Sequence, residues 1–255
     1  RGKVLGGCSS INGMIYMRGQ RSDYDHWAQL GNRGWSWDDV LPVFKHSEDY
    51  QHGADEFHGA GGEMRVEERR VNWEILDAWR DAAADSGIPK ITEFNRGDNS
   101  GNAYFQMNQR RGSRWSATKA FLDPARERPN LTILTESHVQ KLVFDHLSGE
   151  KRCTGIQVQT KQGIETFNAS REVLLSAGSI GSPQILQLSG VGNGELLRER
   201  GVIPEHELSG VGENLQDHLQ VRTIYKVHNT VTLNQRVNSL FGLAAMGIEY
   251  FLLKT

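Results

Sequence analysis

The sequence is poor in cysteine, has no excess of charge of one sign and lacks a long apolar run. Its 255 residues include two cysteines, Cys8 and Cys153, which are too few and too far apart for a disulfide framework or a zinc site. The formal net charge of −2 predicts no nucleic-acid partner. The most apolar stretch, 240–253, is interrupted by Glu249 and too short to cross a bilayer, so no transmembrane segment is expected. No cluster of ligand residues supports metal catalysis.

Start and stop signals are also missing from the two ends. The chain begins at Arg1 without Met or a signal peptide, and a Gly-rich turn follows with no strand before it. It ends at Thr255 inside an amphipathic run without a cap. We therefore expect an internal fragment, truncated at both ends, of a cytoplasmic protein. Peripheral membrane association of the intact protein stays open.

Helical and strand patterns alternate along the chain. Helices are predicted over 22–31, from Ser36, over 72–86, 116–126, 182–188 and 194–200, and from about Ser239. Strands are predicted at 131–135, 137–144, 154–160, 163–167, 172–175 and 221–227, with a hairpin connection at 146–150. Ser22 is the expected N-cap of the first helix. Residues 51–70 and 91–115 are predicted to be irregular, and the mixture indicates an α/β or mixed α+β fold.

The 28 glycines are clustered, and the first cluster lies in the segment Gly2–Met14, which reads GKVLGGCSSINGM. Gly6 and Gly7 allow a tight turn, and successive backbone N–H groups in such a turn form a concave anion site. A helix starting near Ser9 or Ser10 would strengthen that site. Taken alone, a Gly-rich segment of this kind is more often a structural turn.

A second Gly-rich segment, Ala177–Gly192, follows the predicted strand at 172–175. A glycine turn leads into a helix with Pro183 expected in its first turn, and Ser189 and Gly190 are expected to end that helix. In open α/β sheets, ligands lie at such carboxyl ends of strands. A plain strand-to-helix connection is the alternative.

Together the two segments resemble the two signatures of the glucose-methanol-choline (GMC) family of FAD oxidoreductases. The first resemblance rests on Gly2, Lys3, Gly6, Gly7, Ser9, Ile11, Asn12, Tyr16, Gly19 and Asp25. The second covers Gly178–Gly192. Shorter stretches typical of the family lie at 57–62, 112–116, 128–131 and 211–218. Cys8 departs from the commonest pattern, and the choline-dehydrogenase-like members are the most similar.

The resemblance implies part of a Rossmann-like FAD/NAD(P)-binding domain and part of the GMC substrate-binding domain. Residues 1–35 are expected to form a flavin-contacting loop and helix, and 36–129 a helical and loop insertion on the substrate side. Residues 130–215 are expected to supply FAD-binding strands and the second signature, and 216–255 the start of the substrate domain. The Gly-x-Gly-x-x-Gly fingerprint typical of the family does not occur in this sequence.

The resemblance also implies site residues. The expected cofactor contacts are Val4, Gly6, Gly7, Cys8, Asn12, Gly13, Met14, Ile15, Val139 and Gly178. Some relatives attach the flavin through a His at the position of Ile11, so non-covalent FAD is expected here. No catalytic residue is assigned, because the family's catalytic His is expected to follow this segment and to lie outside these 255 residues. Of the nine His residues, His58 and His218, which follows Asp217, are expected to support the site. The other seven are expected to be structural or exposed: His26, His46, His52, His138, His146, His206 and His228.

The implied reaction is oxidation of a small alcohol to an aldehyde or ketone, with hydride transfer to flavin N5. Backbone N–H groups near Gly13 and Met14 are expected to stabilise negative charge on the reduced ring. The alternatives are a flavin-containing hydroxynitrile lyase of the same family, an inactive fragment and a non-enzymatic binding module. The specific alcohol and the electron acceptor cannot be read from the sequence, and these 255 residues alone are expected to be inactive.

Overall fold

The computed structural model describes residues 2–146 and 149–254. Its α-helices are α1 (Arg21–Gln29), α2 (Trp37–Ser47), α3 (Glu74–Asp85), α4 (Asp123–Ala125), α5 (Gly178–Leu188), α6 (Gly194–Glu199), α7 (Leu233–Val237) and α8 (Leu240–Leu253). Its strands are β1 (Ile15–Tyr16), β2 (Glu48–Tyr50), β3 (Met64–Val66), β4 (Gln106–Met107), β5 (Gln109–Arg110), β6 (Ser113–Arg114), β7 (His138–Asp145), β8 (Arg152–Thr160), β9 (Gly163–Asn168), β10 (Val191–Gly192) and β11 (His206–Glu207). The predicted mixed helix and strand class is confirmed.

The chain divides into two compact units. Unit 1 comprises Arg1–Leu131 and Tyr225–Thr255, and unit 2 comprises Thr132–Ile224. The predicted segments 1–35 and 36–129 fall in unit 1, and 130–215 falls almost wholly in unit 2. The domain roles assigned to these segments stay predictions.

Unit 1 contains short strands between helices. β1 pairs with β4 and β5 with β6 in antiparallel fashion, whereas β2 and β3 are parallel. Ser36 caps α2 as predicted, since its hydroxyl accepts the Asp39 N–H while the Asp39 carboxylate accepts the Ser36 N–H at 3.1 Å. The cap places Trp37 in the core, where it is fully buried against the ring of Tyr24.

One local prediction for unit 1 is wrong, and another is confirmed with a change of helix type. Ser22 is not the N-cap of α1, because the cap lies two residues earlier at Gln20, whose N–H donates to the Asp23 carboxylate at 2.7 Å. The helix predicted over 116–126 is present, but its winding changes: a π-helical segment at Thr118–Leu122 runs into α4. Pro124, which lacks an N–H, lies just after that change of winding.

Unit 2 is built on an antiparallel sheet in the order β7-β8-β9, with the parallel pair β10 and β11 beside α6. The strands predicted at 137–144, 154–160 and 163–167 are thereby confirmed. Helix α5 packs on β7, and the Leu142 N–H donates to Ser189 Oγ at 2.8 Å. The predicted connection at 146–150 includes Leu147 and Ser148, which lie outside the described residues.

Three predicted strands are wrong, at 131–135, 172–175 and 221–227. A strand needs a neighbour for its backbone groups, and within residues 2–146 and 149–254 no segment pairs with any of them. Leu174 is accordingly 81% exposed. Helix α5 also begins earlier than predicted, at Gly178, so Pro183 is its sixth residue instead of lying in its first turn.

The last helix, α8, begins where the sequence predicts. The Ser239 hydroxyl accepts the Gly242 N–H at 3.3 Å and caps it. Across the described part of the chain, no helix has both the length and the apolar character needed to cross a membrane.

Candidate functional site

The Gly-rich loop at the start of the chain is a tight turn that requires glycine. The Gly7 N–H donates to the Val4 carbonyl at 2.8 Å, and Gly6 has a φ of +85°. A Cβ at Gly6 would approach Ser10 Oγ to 2.5 Å and Thr118 Oγ1 to 2.6 Å. Both the backbone conformation and the close packing therefore exclude a side chain at Gly6.

No α-helix begins at Ser9 or Ser10, so the condition under which a helix N-terminus would strengthen this site is not met. Only a single 3-10 turn, Gly7–Ser10, follows the glycines. Such a short turn aligns too few peptide dipoles to act as a helix N-terminus. Any anion held by this loop would therefore depend on individual N–H groups.

The outer side of the loop is open to a ligand. A Cβ built on Gly7 or Gly13 would meet no atom within 4 Å. Val4, Ile11 and Ile15 are 55%, 57% and 47% exposed. Bare backbone flanked by exposed apolar side chains suits a flat, partly apolar ring with polar edges, and the residues present therefore fit a flavin.

A local turn at Asn12 shapes the end of this loop. Asn12 Oδ1 accepts the Met14 N–H at 3.0 Å, and Met14 adopts a φ of +63°, which is uncommon for a residue with a side chain. The Met14 carbonyl accepts the Asn108 N–H at 2.7 Å. The Met14 N–H is therefore used within the loop. Gly13, in contrast, is an exposed residue, and its N–H has no acceptor among the described residues.

Arg114 holds the loop from outside. Its Nη1 donates to the Ser9 carbonyl at 3.0 Å and to Asn12 Oδ1 at 2.8 Å, and its Nη2 donates to the Asn12 carbonyl at 2.7 Å. The Ala117 N–H donates to Ser9 Oγ at 2.9 Å. The sequence of 112–116 is typical of the family but indicates no role for Arg114. The contact joins residues about a hundred positions apart, and no periodicity signals it.

The structure therefore brings eight of the ten predicted cofactor contacts together on one continuous loop of unit 1. They are Val4, Gly6, Gly7, Cys8, Asn12, Gly13, Met14 and Ile15. The other two, Val139 and Gly178, belong to unit 2. Whether any of the ten binds the cofactor stays a prediction.

In unit 2, Val139 lies on β7 opposite Val158, and the pairing is interrupted by a bulge at Gln140. β7 is an edge strand of its sheet, so one row of its backbone groups lies outside the β7–β8 ladder. Gly178 has a φ of +88° at the start of α5, a conformation that favours glycine.

His58 lies inside a cluster of buried charged groups. Its Nδ1 is 3.1 Å from Glu48 Oε2 and its Nε2 is 3.2 Å from Glu93 Oε1. Burial lowers the pKa of His58, but hydrogen bonds and charges from both glutamates outweigh burial and raise the pKa to about 9. A fully buried, doubly held imidazolium has no nitrogen available as a base.

The same cluster anchors the segment that leaves the loop. Arg18 pairs with Glu48 at 2.9 Å, and its Nε donates to Tyr16 Oη at 3.2 Å. Asn95 Oδ1 accepts the Arg18 N–H at 2.7 Å, and its Nδ2 donates to the Tyr16 carbonyl at 3.2 Å. His58 thus supports the residues next to Ile15 through Glu48 and Arg18. His218, in contrast, is exposed.

Comparison with known proteins agrees with this geometry. A family model described as GMC oxidoreductase matches residues 1–220. An oxygen-dependent choline dehydrogenase from Brucella ovis is 39% identical over 255 residues, which is 100% of this chain and 45% of that protein.

Solved structures give the same result. A pyridoxine 4-oxidase from Mesorbium loti matches with a TM-score of 0.74 and 35% identity over 81% of this chain and 40% of its own. An FAD-dependent oxidoreductase from Chaetomium thermophilum matches with a TM-score of 0.86 and 29% identity over 99% of this chain and 46% of its own. The chain thus spans less than half the length of these relatives. As its two Gly-rich signatures predict, the chain belongs to the GMC oxidoreductase family, whose cofactor is FAD.

Proposed function

We propose that the full-length protein containing this chain oxidises a small alcohol to an aldehyde or ketone. When bound, FAD supplies the redox chemistry by accepting a hydride from the alcohol carbon. The observation that carries the proposal is the loop Gly2–Ile15, whose open backbone and exposed apolar side chains fit a flavin. A base accepts the hydroxyl proton of the alcohol, and none of the nine His residues of this chain is assigned that role.

The cofactor contacts proposed for this chain are the ten residues expected from the sequence. In unit 1, the open face of the loop would receive the ring, and the Gly13 N–H would face its negative charge after reduction. In unit 2, the backbone of Val139 would contact the adenine, and the turn at Gly178 would lead back to the nucleotide-binding strands. The side chain of Ile11 is a hydrocarbon without a nucleophile, so the FAD would be non-covalent and released by acid precipitation.

The test is anaerobic reduction of the flavin in the purified full-length protein. Choline and pyridoxine are suitable first alcohols, because similar proteins are named for acting on them. Bleaching of the flavin absorbance by an alcohol, with formation of one equivalent of aldehyde, would support the proposal. A flavin that stays oxidised while a cyanohydrin is cleaved would favour the hydroxynitrile lyase. Oxygen or a quinone supplied afterwards would identify the acceptor by reoxidation.

Gly13→Pro tests the role of the backbone donor. Proline removes the N–H, and we expect weaker flavin binding or slower reduction, by roughly tenfold to hundredfold in rate. Gly13→Ala is the matched control, since it keeps the N–H and places its Cβ in open space. Stopped-flow reduction of both variants measures the difference. Equal rates for the two variants would mean that the N–H of Gly13 is not the relevant group.

We further propose a cytoplasmic location. It rests on the two cysteines, which are free thiols. Thiol labelling of the protein in intact and lysed cells tests it, because thiols in an oxidising compartment would not stay reduced.

A further inference from the structure

We propose that Arg114 is a positioning residue for the flavin, because it fixes the turn that presents the Gly13 N–H. This inference rests on the proposed function of the loop Gly2–Ile15. Three hydrogen bonds from one guanidinium reach two carbonyl oxygens and one side-chain oxygen of the loop. A planar fork of donors is suited to such a set of acceptors, whereas a single ammonium is not.

Asn12 transmits the effect of Arg114. Its Oδ1 accepts from both Arg114 and the Met14 N–H, so the guanidinium holds the oxygen that closes the turn. Met14 stays in the left-handed region, where a residue with a side chain needs such support. Loss of the guanidinium would free the Asn12 side chain, and both the Met14 backbone and the Gly13 N–H beside it would lose their fixed direction.

The hydrogen bonds described for the Arg114 guanidinium all go to the loop. Among the described residues, no carboxylate forms an ion pair with its guanidinium. The neighbouring Arg110, in contrast, lies 3.4 Å from the Asp49 carboxylate and stacks on Trp115. Arg110 and Arg114 therefore lie in the same hairpin and each carries a positive charge, but of the two only Arg114 contacts the loop.

A second tether is formed by the Ser9 side chain, whose own bonds do not involve Arg114, although Arg114 also binds the Ser9 carbonyl. Ser9 Oγ donates to the Gly6 carbonyl at 2.5 Å and accepts the Ala117 N–H. This tether holds the glycine turn and makes no contact with the Asn12 side chain. Removing Arg114 should therefore loosen residues 12–14 while the Gly6 turn stays in place.

The test uses the full-length protein with Arg114→Met and Arg114→Lys, and Arg110→Lys as the matched control. Hydrogen exchange of the apoprotein reports on residues 12–14 without any cofactor. FAD titration and the midpoint potential of the bound flavin report on positioning. We expect faster exchange at residues 12–14 and about tenfold weaker FAD binding in both Arg114 variants, since preorganisation is lost. A changed midpoint potential should accompany these effects, and Arg110→Lys should match the wild type.

Faster exchange with unchanged FAD affinity and potential would overturn the proposal, because Arg114 would then be merely structural. Unchanged exchange would overturn it as well. If the Arg114 variants fail to fold, Asn12→Ala removes the acceptor instead and should give the same loosening at residues 12–14. A wild-type protein that binds no FAD would refute the proposed function, while the exchange measurement would still test whether Arg114 fixes the loop.

Discussion

Unit 1 buries charged side chains in its core, whereas the buried side chains described in unit 2 are apolar apart from Ser189. The buried charged groups of unit 1 are Arg18, Glu48, His58, Glu67 and Glu93. The buried apolar residues of unit 2 are Leu142, Val158, Ile185, Val191 and Leu197. We therefore expect the stability of the unit 1 core to depend on its ion-pair partners and on pH. The stability of the unit 2 core should depend on how completely its apolar side chains fill the interior.

Glu48 is the centre of the charged interior. Its carboxylate contacts Arg18, the His58 ring and the Gly59 N–H, which donates at 2.8 Å. The side chains of Arg18 and Glu48 are 1% and 0% exposed, so water cannot replace a lost partner. A buried ion pair of this kind adds little compared with a well-packed apolar pair, but removal of one member leaves a buried charge without compensation.

The largest expected effect is therefore that of Glu48→Gln. It leaves Arg18 and the His58 imidazolium without their shared carboxylate, and we expect a loss of about 3–5 kcal/mol in the free energy of unfolding. Urea unfolding followed by tryptophan fluorescence measures it, because all six tryptophans of the chain lie in unit 1.

Asp38→Asn is the control for that measurement. It breaks the exposed ion pair between Arg21 and Asp38, whose side chains are 51% and 80% exposed. We expect a change of roughly 0–1 kcal/mol. If Glu48→Gln costs no more than this control, the core of unit 1 does not depend on its charges.

The next effect is a pH dependence confined to unit 1. The pKa of His58 is about 9 in the folded chain against 6.5 for a free imidazole. Its contribution to stability is therefore complete below pH 6.5 and is lost as the pH rises through 9, with a total of roughly 3 kcal/mol. Fluorescence-detected unfolding from pH 6 to 10 should show this decline in the wild type and not in His58→Gln. A parallel decline in both would assign it to other groups.

Apart from the Asp38→Asn control, the smallest effect is expected in unit 2, from Leu197→Ala. Truncation of Leu197, which is buried in α6, removes packed apolar volume, and we expect a loss of about 2–3 kcal/mol in the free energy of unfolding. Unit 2 contains neither Trp nor Tyr, so circular dichroism is the suitable measurement. The loss should be the same at pH 6.5 and pH 9.5. A loss that changes with pH would mean that the apolar interior is coupled to a titrating group.

How much of the fold the sequence predicts depends on whether the partners of an element lie nearby in the sequence. Helices with polar caps are predictable, as Ser36 and Ser239 show, because the cap and the first turn are adjacent in sequence. The strands β7, β8 and β9 are predictable because each pairs with a strand that is next to it in the sequence. The segments 172–175 and 221–227 have strand patterns but no pairing partner among the described residues, and pattern alone cannot supply one.

The candidate site divides in the same way. The loop Gly2–Ile15 is found from its glycines, since tight turns are local. The role of Arg114 and the partners of His58 are not found, because the contacting residues lie far apart along the chain and have no common spacing. The family resemblance points to His58 but does not point to the residues that hold it. Its two glutamates, Glu48 and Glu93, are 45 residues apart and stand in unrelated segments.

The bulge at Gln140 makes β7 sensitive to its length. Val139 and Leu142 lie opposite Val158 and Ile156, two positions of β8 that share one face of the sheet. In a regular strand, residues three apart would face opposite sides, so the extra residue is what places both on the same side. Deletion of Gln140 would turn either Val139 or Leu142 to the other face. We therefore expect β7 to tolerate the substitution of a side chain better than the deletion of one residue.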